Sequence, residues 1–87
     1  MVNSDPDDLH RMLEECPPAG SRFRHYKGGE YIVVGAAILE ATLEPLVLYQ
    51  PAVGSGSDVC WVRTLSDWNA TVEVGGEQTQ RFQRIVG

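Results

Sequence analysis

The sequence predicts a mainly β fold: a small bent antiparallel sheet or an SH3-like barrel of five or six strands, with one short N-terminal helix. Three observations carry this. The chain has 87 residues, 43% of them hydrophobic, which suffices for one domain with a thin core. After residue 20 its grammar is short β-branched and aromatic runs separated by glycine pairs and polar turns. Only the first segment shows helical spacing. Residues 1–20 therefore form an acidic helix with a Pro-rich linker, and residues 21–87 the β domain.

The helix is predicted over 5–16. Asp5 suits an N-cap, Pro6 the first helical position, and Asp7 and Asp8 the positive end of the helix dipole. Leu9, Met12, Leu13 and Cys16 recur at i, i+3, i+4, i+7 and make one apolar stripe. Pro17 and Pro18 end it, because proline cannot continue the hydrogen-bond ladder. So short a helix must dock to be stable.

The strands follow in order. Phe23 to Lys27 is a short strand, and Gly28-Gly29 a tight turn. Glu30 to Leu39 is β-rich, and Gly35 within it predicts a bulge or bend. Glu40 to Glu44 is a turn, and Leu46 to Tyr49 a nearly continuous apolar, hence central, strand. Gly54 to Asp58 is a hairpin loop, with Val59 to Arg63 as the returning strand. Ser66 caps a helical turn through Asn69. Thr71 to Val74, Gly75-Gly76 and Glu77 to Val86 form a last hairpin with an irregular return.

Net charge is -5, but it is unevenly spread. Residues 1–15 hold five acids and one base, and residues 16–87 hold seven acids and six bases. The β domain is nearly neutral and lacks the strong basicity of a dedicated nucleic-acid binder. The longest apolar run, Tyr31 to Leu39, is far too short to cross a bilayer, so no membrane association is expected. The acidic N-terminus is no secretory signal. Cys16 and Cys60 form no close pair and read as reduced thiols in a cytoplasmic protein.

The blocks Arg24-His25-Tyr26-Lys27-Gly28-Gly29-Glu30-Tyr31, Val33-Val34-Gly35-Ala36-Ala37, Thr42-Leu43-Glu44-Pro45-Leu46-Val47-Leu48-Tyr49, Trp61-Val62-Arg63 with Trp68, and Arg81-Phe82 occur in this order over residues 22–85. In them the chain resembles the bacterial family named domain of unknown function 1653. The chain departs from that pattern at Leu39, Glu40 and Ala41, where many members carry His, Ser and Glu, and at Thr64, where the pattern has Pro. The N-terminal helix lies outside it. The resemblance implies a shared fold and carries no established activity.

Strand alternation supplies the candidate site. With Phe23 in the core, Arg24 and Tyr26 project outward side by side, a pairing suited to holding a phosphate or stacking a base. Trp61 and Arg63 share one face of their strand, with Cys60 and Val62 assigned to the core. Tyr49 joins the same surface. Arg24, Tyr26, Tyr49, Trp61 and Arg63 are thus the expected ligand-binding residues. The bland alternatives are a solvated cationic edge, a core-edge tyrosine, and a Trp61 covered by the N-terminal helix with Arg63 paired to one of its acids.

The leading functional reading is a non-catalytic binding module for a peptide, a protein or a single-stranded nucleic acid. A second is a small enzyme or regulatory subunit with His25, Lys27 and Glu30 at a polar cleft. A third is a structural homodimer in which Trp61 and Tyr49 pair across a two-fold axis, the oligomeric state being open. No catalytic residue, cofactor or metal is assigned. His10, Cys16, His25 and Cys60 lack zinc-ligand spacing, Gly54 to Ser57 lacks the Gly-Lys-Ser/Thr ending of a phosphate loop, and Cys60 is expected to be a buried, inert thiol.

Overall fold

A computed structural model describes residues 6–52 and 59–85. Its elements run α1 (Pro6–Glu14), β1 (Arg22–His25), β2 (Glu30–Leu39), β3 (Glu44–Pro51), β4 (Trp61–Thr64), α2 (Leu65–Trp68), β5 (Thr71–Val74), β6 (Glu77–Gln80) and β7 (Phe82–Arg84). The predicted Asp5 cap and the Gly54–Asp58 loop lie outside the described residues.

The fold is mainly β, with seven strands among the described residues rather than the expected five or six. Five form one antiparallel sheet in the order β4-β3-β2-β1-β7, and β5 pairs with β6 in a separate two-stranded sheet. The bent-sheet expectation holds, but there is no closed barrel: among the described residues the edges β4 and β7 do not pair. The predicted last strand is split at Arg81. There the chain leaves the β5–β6 hairpin and crosses to β1, opposite which Phe82 sits in register with His25.

Gly35 marks the predicted irregularity. Val33 pairs with Tyr49 and Gly35 with Leu48, so Val34 is an extra residue that bends β2. Directly opposite residues share a face. The register therefore puts Phe23, Tyr31, Val33, Val47, Tyr49 and Phe82 on one concave face. Cys16, Leu65 and Trp68 complete the core above it.

Helix α1 packs on β2 and β3. The Cys16 thiol, just beyond it, lies 3.8 Å from the Leu46 carbonyl oxygen. The linker is then stitched to β2: Gly20 N–H donates to Val33 O and Val33 N–H to Ser21 O, both at 2.8 Å. Gly20 takes φ +92°, a backbone state that only glycine adopts without strain.

Helix α2 is a single turn whose cap lies two residues before the one the sequence suggests. Thr64, not Ser66, is its N-cap, its hydroxyl accepting from the Asp67 N–H at 3.2 Å. The turn exists to deliver Trp68, 3% exposed, onto the core. There its ring stacks on Phe82 at 3.9 Å and meets Phe23 and Tyr49 edge-on at 5.1 and 5.0 Å. Trp68→Ala should therefore cost about 3–5 kcal/mol of stability, whereas Thr64→Ala should cost about 1 kcal/mol by removing the cap. Urea midpoints of the two variants test this, and a Trp68→Ala loss no larger than that of Thr64→Ala would mean that the stacked indole is not the core's anchor.

Candidate concave binding site

The sequence correctly predicts that Trp61 and Arg63 share a face, but the register shows which face it is. Tyr49 lies opposite Trp61 and Val47 opposite Arg63, so both side chains point to the concave side. Val62, assigned to the core from its apolar character, instead points outward and is 52% exposed. Cys60 is likewise exposed rather than buried.

A charged residue is tolerated on the inner face because its head is satisfied there. The Arg63 Nε donates to the Tyr49 hydroxyl at 3.0 Å and its Nη1 to Asp67 at 2.6 Å. Its guanidinium also lies 5.5 Å from the Phe82 ring centroid. Arg63 therefore pairs with an acid of α2, while on α1 Arg11 pairs with Asp8 at 3.4 Å. Arg81 approaches Asp67 from β7's side at 3.7 Å. One carboxylate thus stands between two guanidiniums. Burial is the largest single influence on Arg63 and lowers its pKa, but the hydrogen bonds it donates to Tyr49 and Asp67, with their charges, hold it above its ordinary value.

Beside this cluster lies a pocket of about 300 Å³ lined by Tyr31, Tyr49, Pro51 and Trp61. Tyr49 is only 7% exposed, so it is a pocket floor and not the surface aromatic expected. Its ring meets Tyr31 edge-on at 5.5 Å. Trp61 is different: at 54% exposure it is the most open large apolar side chain among those described.

The other expected residues fall elsewhere. Arg24 is opposite Glu30 on the convex face, and their side chains pair at 3.2 Å. Tyr26 lies beyond the end of β1, at 37% exposure, with its ring 4.6 Å from that of His25. Strand parity does not reach it, so it does not stand beside Arg24 as expected. The expected five-residue surface therefore separates into a concave group (Tyr49, Trp61, Arg63), a convex ion pair (Arg24) and a turn residue (Tyr26).

The expected His25, Lys27 and Glu30 cleft is also divided. Glu30 is engaged with Arg24, while His25 lies in register with Phe82, its ring 5.0 Å from that of Phe82. The His25 Nδ1 accepts from the Lys27 backbone N–H at 3.1 Å. Its pKa lies below the ordinary imidazole value through desolvation first, then the positive charges of Arg63, Arg81 and Lys27. The Cys16 thiol is pushed up by burial and by Glu15, so it is no thiolate nucleophile. Cys60 adjoins the edge strand β4, three places from β1 in the strand order. No group of three or more His, Cys, Asp or Glu among the described residues could hold a metal ion.

Sequence reasoning missed Tyr31, Pro51, Asp67 and Arg81. Asp67 had a local signal: it follows Arg63 by four residues, a spacing that one helical turn closes. Tyr31, Pro51 and Arg81 are brought to the site by β2, β3 and the sheet switch before β7, which no local pattern announces.

Comparison with known proteins accords with this architecture. A solved structure described as a protein belonging to DUF1653, from Bordetella bronchiseptica, matches with a TM-score of 0.66 and 32% identity, covering 86% of this chain and 92% of its own. Among curated proteins no match is found. No helix among the described residues is long and apolar enough to cross a membrane. The family model described as "Protein of unknown function (DUF1653)" matches residues 21–84, nearly the whole β domain together with its Trp61-Val62-Arg63 and Arg81-Phe82 blocks, and the chain belongs to that family.

Proposed function

We propose that the protein is a non-catalytic binding module that takes its ligand on the concave face, in the pocket walled by Tyr31, Tyr49, Pro51 and Trp61 beside Arg63. The observation that carries this is the Trp61 indole. A thin-cored domain gains by burying such a ring, and this one leaves it more than half exposed on the wall of a pocket. Exposed aromatics next to an arginine are the residue types that concentrate binding energy at interfaces. The curled sheet is a variant of an SH3-like barrel left open between β4 and β7. The setting we propose is the bacterial cytoplasm, in keeping with two free thiols and a bacterial neighbour.

A peptide or protein ligand is favoured over a nucleic acid. The chain carries a net charge of -5, and residues 16–87 hold seven acids against six bases, so a phosphate backbone meets no excess of cations. The homodimer reading loses its proposed Trp61–Tyr49 contact, since Tyr49 is buried in its own protomer. The enzymatic reading loses its cleft, since His25 and Glu30 lie on different faces.

Titration with pools of random hexapeptides and of short RNA should move amide resonances of Tyr31, Tyr49, Trp61 and Arg63 with the peptides and leave them in place with the RNA. Trp61→Ala should weaken peptide binding by about tenfold or more, with its urea midpoint within error of the parent. A Trp61→Ala protein that binds as well as the parent, or shifts scattered away from these four residues, removes the reading.

The histidine supplies a pH test. Its folded-state pKa is depressed, so as pH falls below about 6.5 the unfolded chain takes up the proton first. Stability contributed by the neutral imidazole is complete above that pH and is lost as pH falls through the folded pKa. An NMR titration of the His25 ring should give a midpoint below 6.5, and Arg81→Gln should raise it by removing one neighbouring positive charge. A midpoint unchanged by that substitution would show that the arginine exerts no field at the histidine.

A further inference from the structure

The two edges of the main sheet are unlike. β7 is three residues long, and its exposed Gln83 and Arg84 guard it with polar side chains. The chain beyond it stays tied in, with Ile85 N–H donating to Arg22 O at 2.9 Å. β4 is guarded less. It is four residues long and its one charge, Arg63, points inward and is engaged by Asp67, but it carries no proline, bulge, lysine or acid, and among the described residues its backbone pairs with β3 alone. The open side of such an edge is a template for another strand.

The side chains of β4 and of the residue that leads into it agree with its backbone. Val59, Trp61 and Val62 are 45%, 54% and 52% exposed. Trp61 borders the concave pocket, Val62 lies on the convex side, and Arg63 returns to the concave side. A strand laid along β4 would alternate in the same way, so its residues i and i+2 would face Trp61 and Arg63.

We infer that β4 accepts an extended peptide segment of a partner protein as a sixth strand of the main sheet, with an apolar side chain seated against Trp61 and a carboxylate two residues away facing Arg63. The inference rests on the binding-module reading and adds the partner's class and backbone geometry. The carboxylate follows from charge. Among the described residues Arg63 and Arg81 share Asp67, two guanidiniums to one carboxylate, so the cluster is positive on balance. A second copy of this chain is disfavoured as occupant because each copy has a net charge of -5. A nucleic acid offers no ladder of amide and carbonyl groups to match the edge.

The test uses the full chain and acetylated, amidated hexapeptides that alternate threonine with Leu and Glu, in both orders, so that Leu and Glu, two residues apart, face inward and threonine outward. Amide shifts, hydrogen exchange and light scattering are measured with and without peptide. Binding should slow exchange at the amides of residues 61–64. Replacing Glu by Lys should weaken it at least fivefold, and N-methylation of two alternate peptide amides on the pairing edge at least tenfold. Equal binding by the N-methylated peptide, or protection appearing at β7 in place of β4, overturns strand addition. Shifts at Tyr31, Tyr49 and Trp61 without protection of β4 overturn it too, while leaving the binding-module reading in place. If neither these peptides nor the random pool moves any concave-face resonance, both readings fall. A free protein that is already dimeric, with its β4 amides protected, assigns the edge to a second copy and overturns the peptide.

Discussion

The fold depends on how the Arg63 head is housed. β4 and β7 stand at opposite ends of a five-strand order, four spacings or about 19 Å apart in a flat sheet. Yet the guanidinium of Arg63, on β4, lies 5.5 Å from the ring of Phe82, on β7. The sheet must curl almost into a tube for this to happen. Three groups make the contact tolerable for a charge. Tyr49 and Asp67 accept its hydrogen bonds, and Trp68 stacks on Phe82 to complete an aromatic bed. A half-buried arginine is costly alone, but with its N–H donors engaged by Tyr49 and Asp67 it becomes a tie between the sheet ends. The same tie places Arg63 next to the concave pocket. Stability and recognition therefore draw on one cluster of side chains, and the residue available for binding without loss of the fold is Trp61.

The aromatic core sets the limits of this arrangement. Phe23, Tyr31, Tyr49, Trp68 and Phe82 form a nearly continuous run of edge-on contacts with one parallel stack. Edge-on packing lets a few large rings fill a volume that aliphatic side chains would need more chain to fill. In a domain of this size it replaces the second sheet that larger β-sandwiches use as a lid. Helix α1 supplies only a partial cover over β2 and β3, at the end where Cys16 is buried.

Much of this was legible in the residues. Glu30 to Leu39 reads directly as a strand because Gly28-Gly29 and the turn at 40–44 punctuate it, and Gly35 announces the bulge it borders. The helix ends where its prolines require. The faces of β4 were not legible: Cys60 and Val62 are apolar and Arg63 is charged, so alternation alone favours the reverse of what occurs. What decides the matter is a partner for the arginine, and Asp67 and Tyr49 become partners only after α2 forms and β3 aligns. Tyr49 misled for a related reason, since a tyrosine can be core at the ring and polar at the tip. The break at Arg81 was hidden because Glu77 to Val86 reads as one irregular return strand, although β6 and β7 within it serve different sheets.

That break also makes the β5–β6 hairpin a self-contained stalk. Arg81 N–H donates to Ala70 O at 3.2 Å and so closes a gate at the stalk's base, while the tip is a two-glycine turn with both φ angles positive. Ten residues leave the body and return to almost the point of departure. The appendage can therefore be lengthened, shortened or decorated at Gly75-Gly76 without disturbing the rings below it, which makes it the natural place to attach a reporter group.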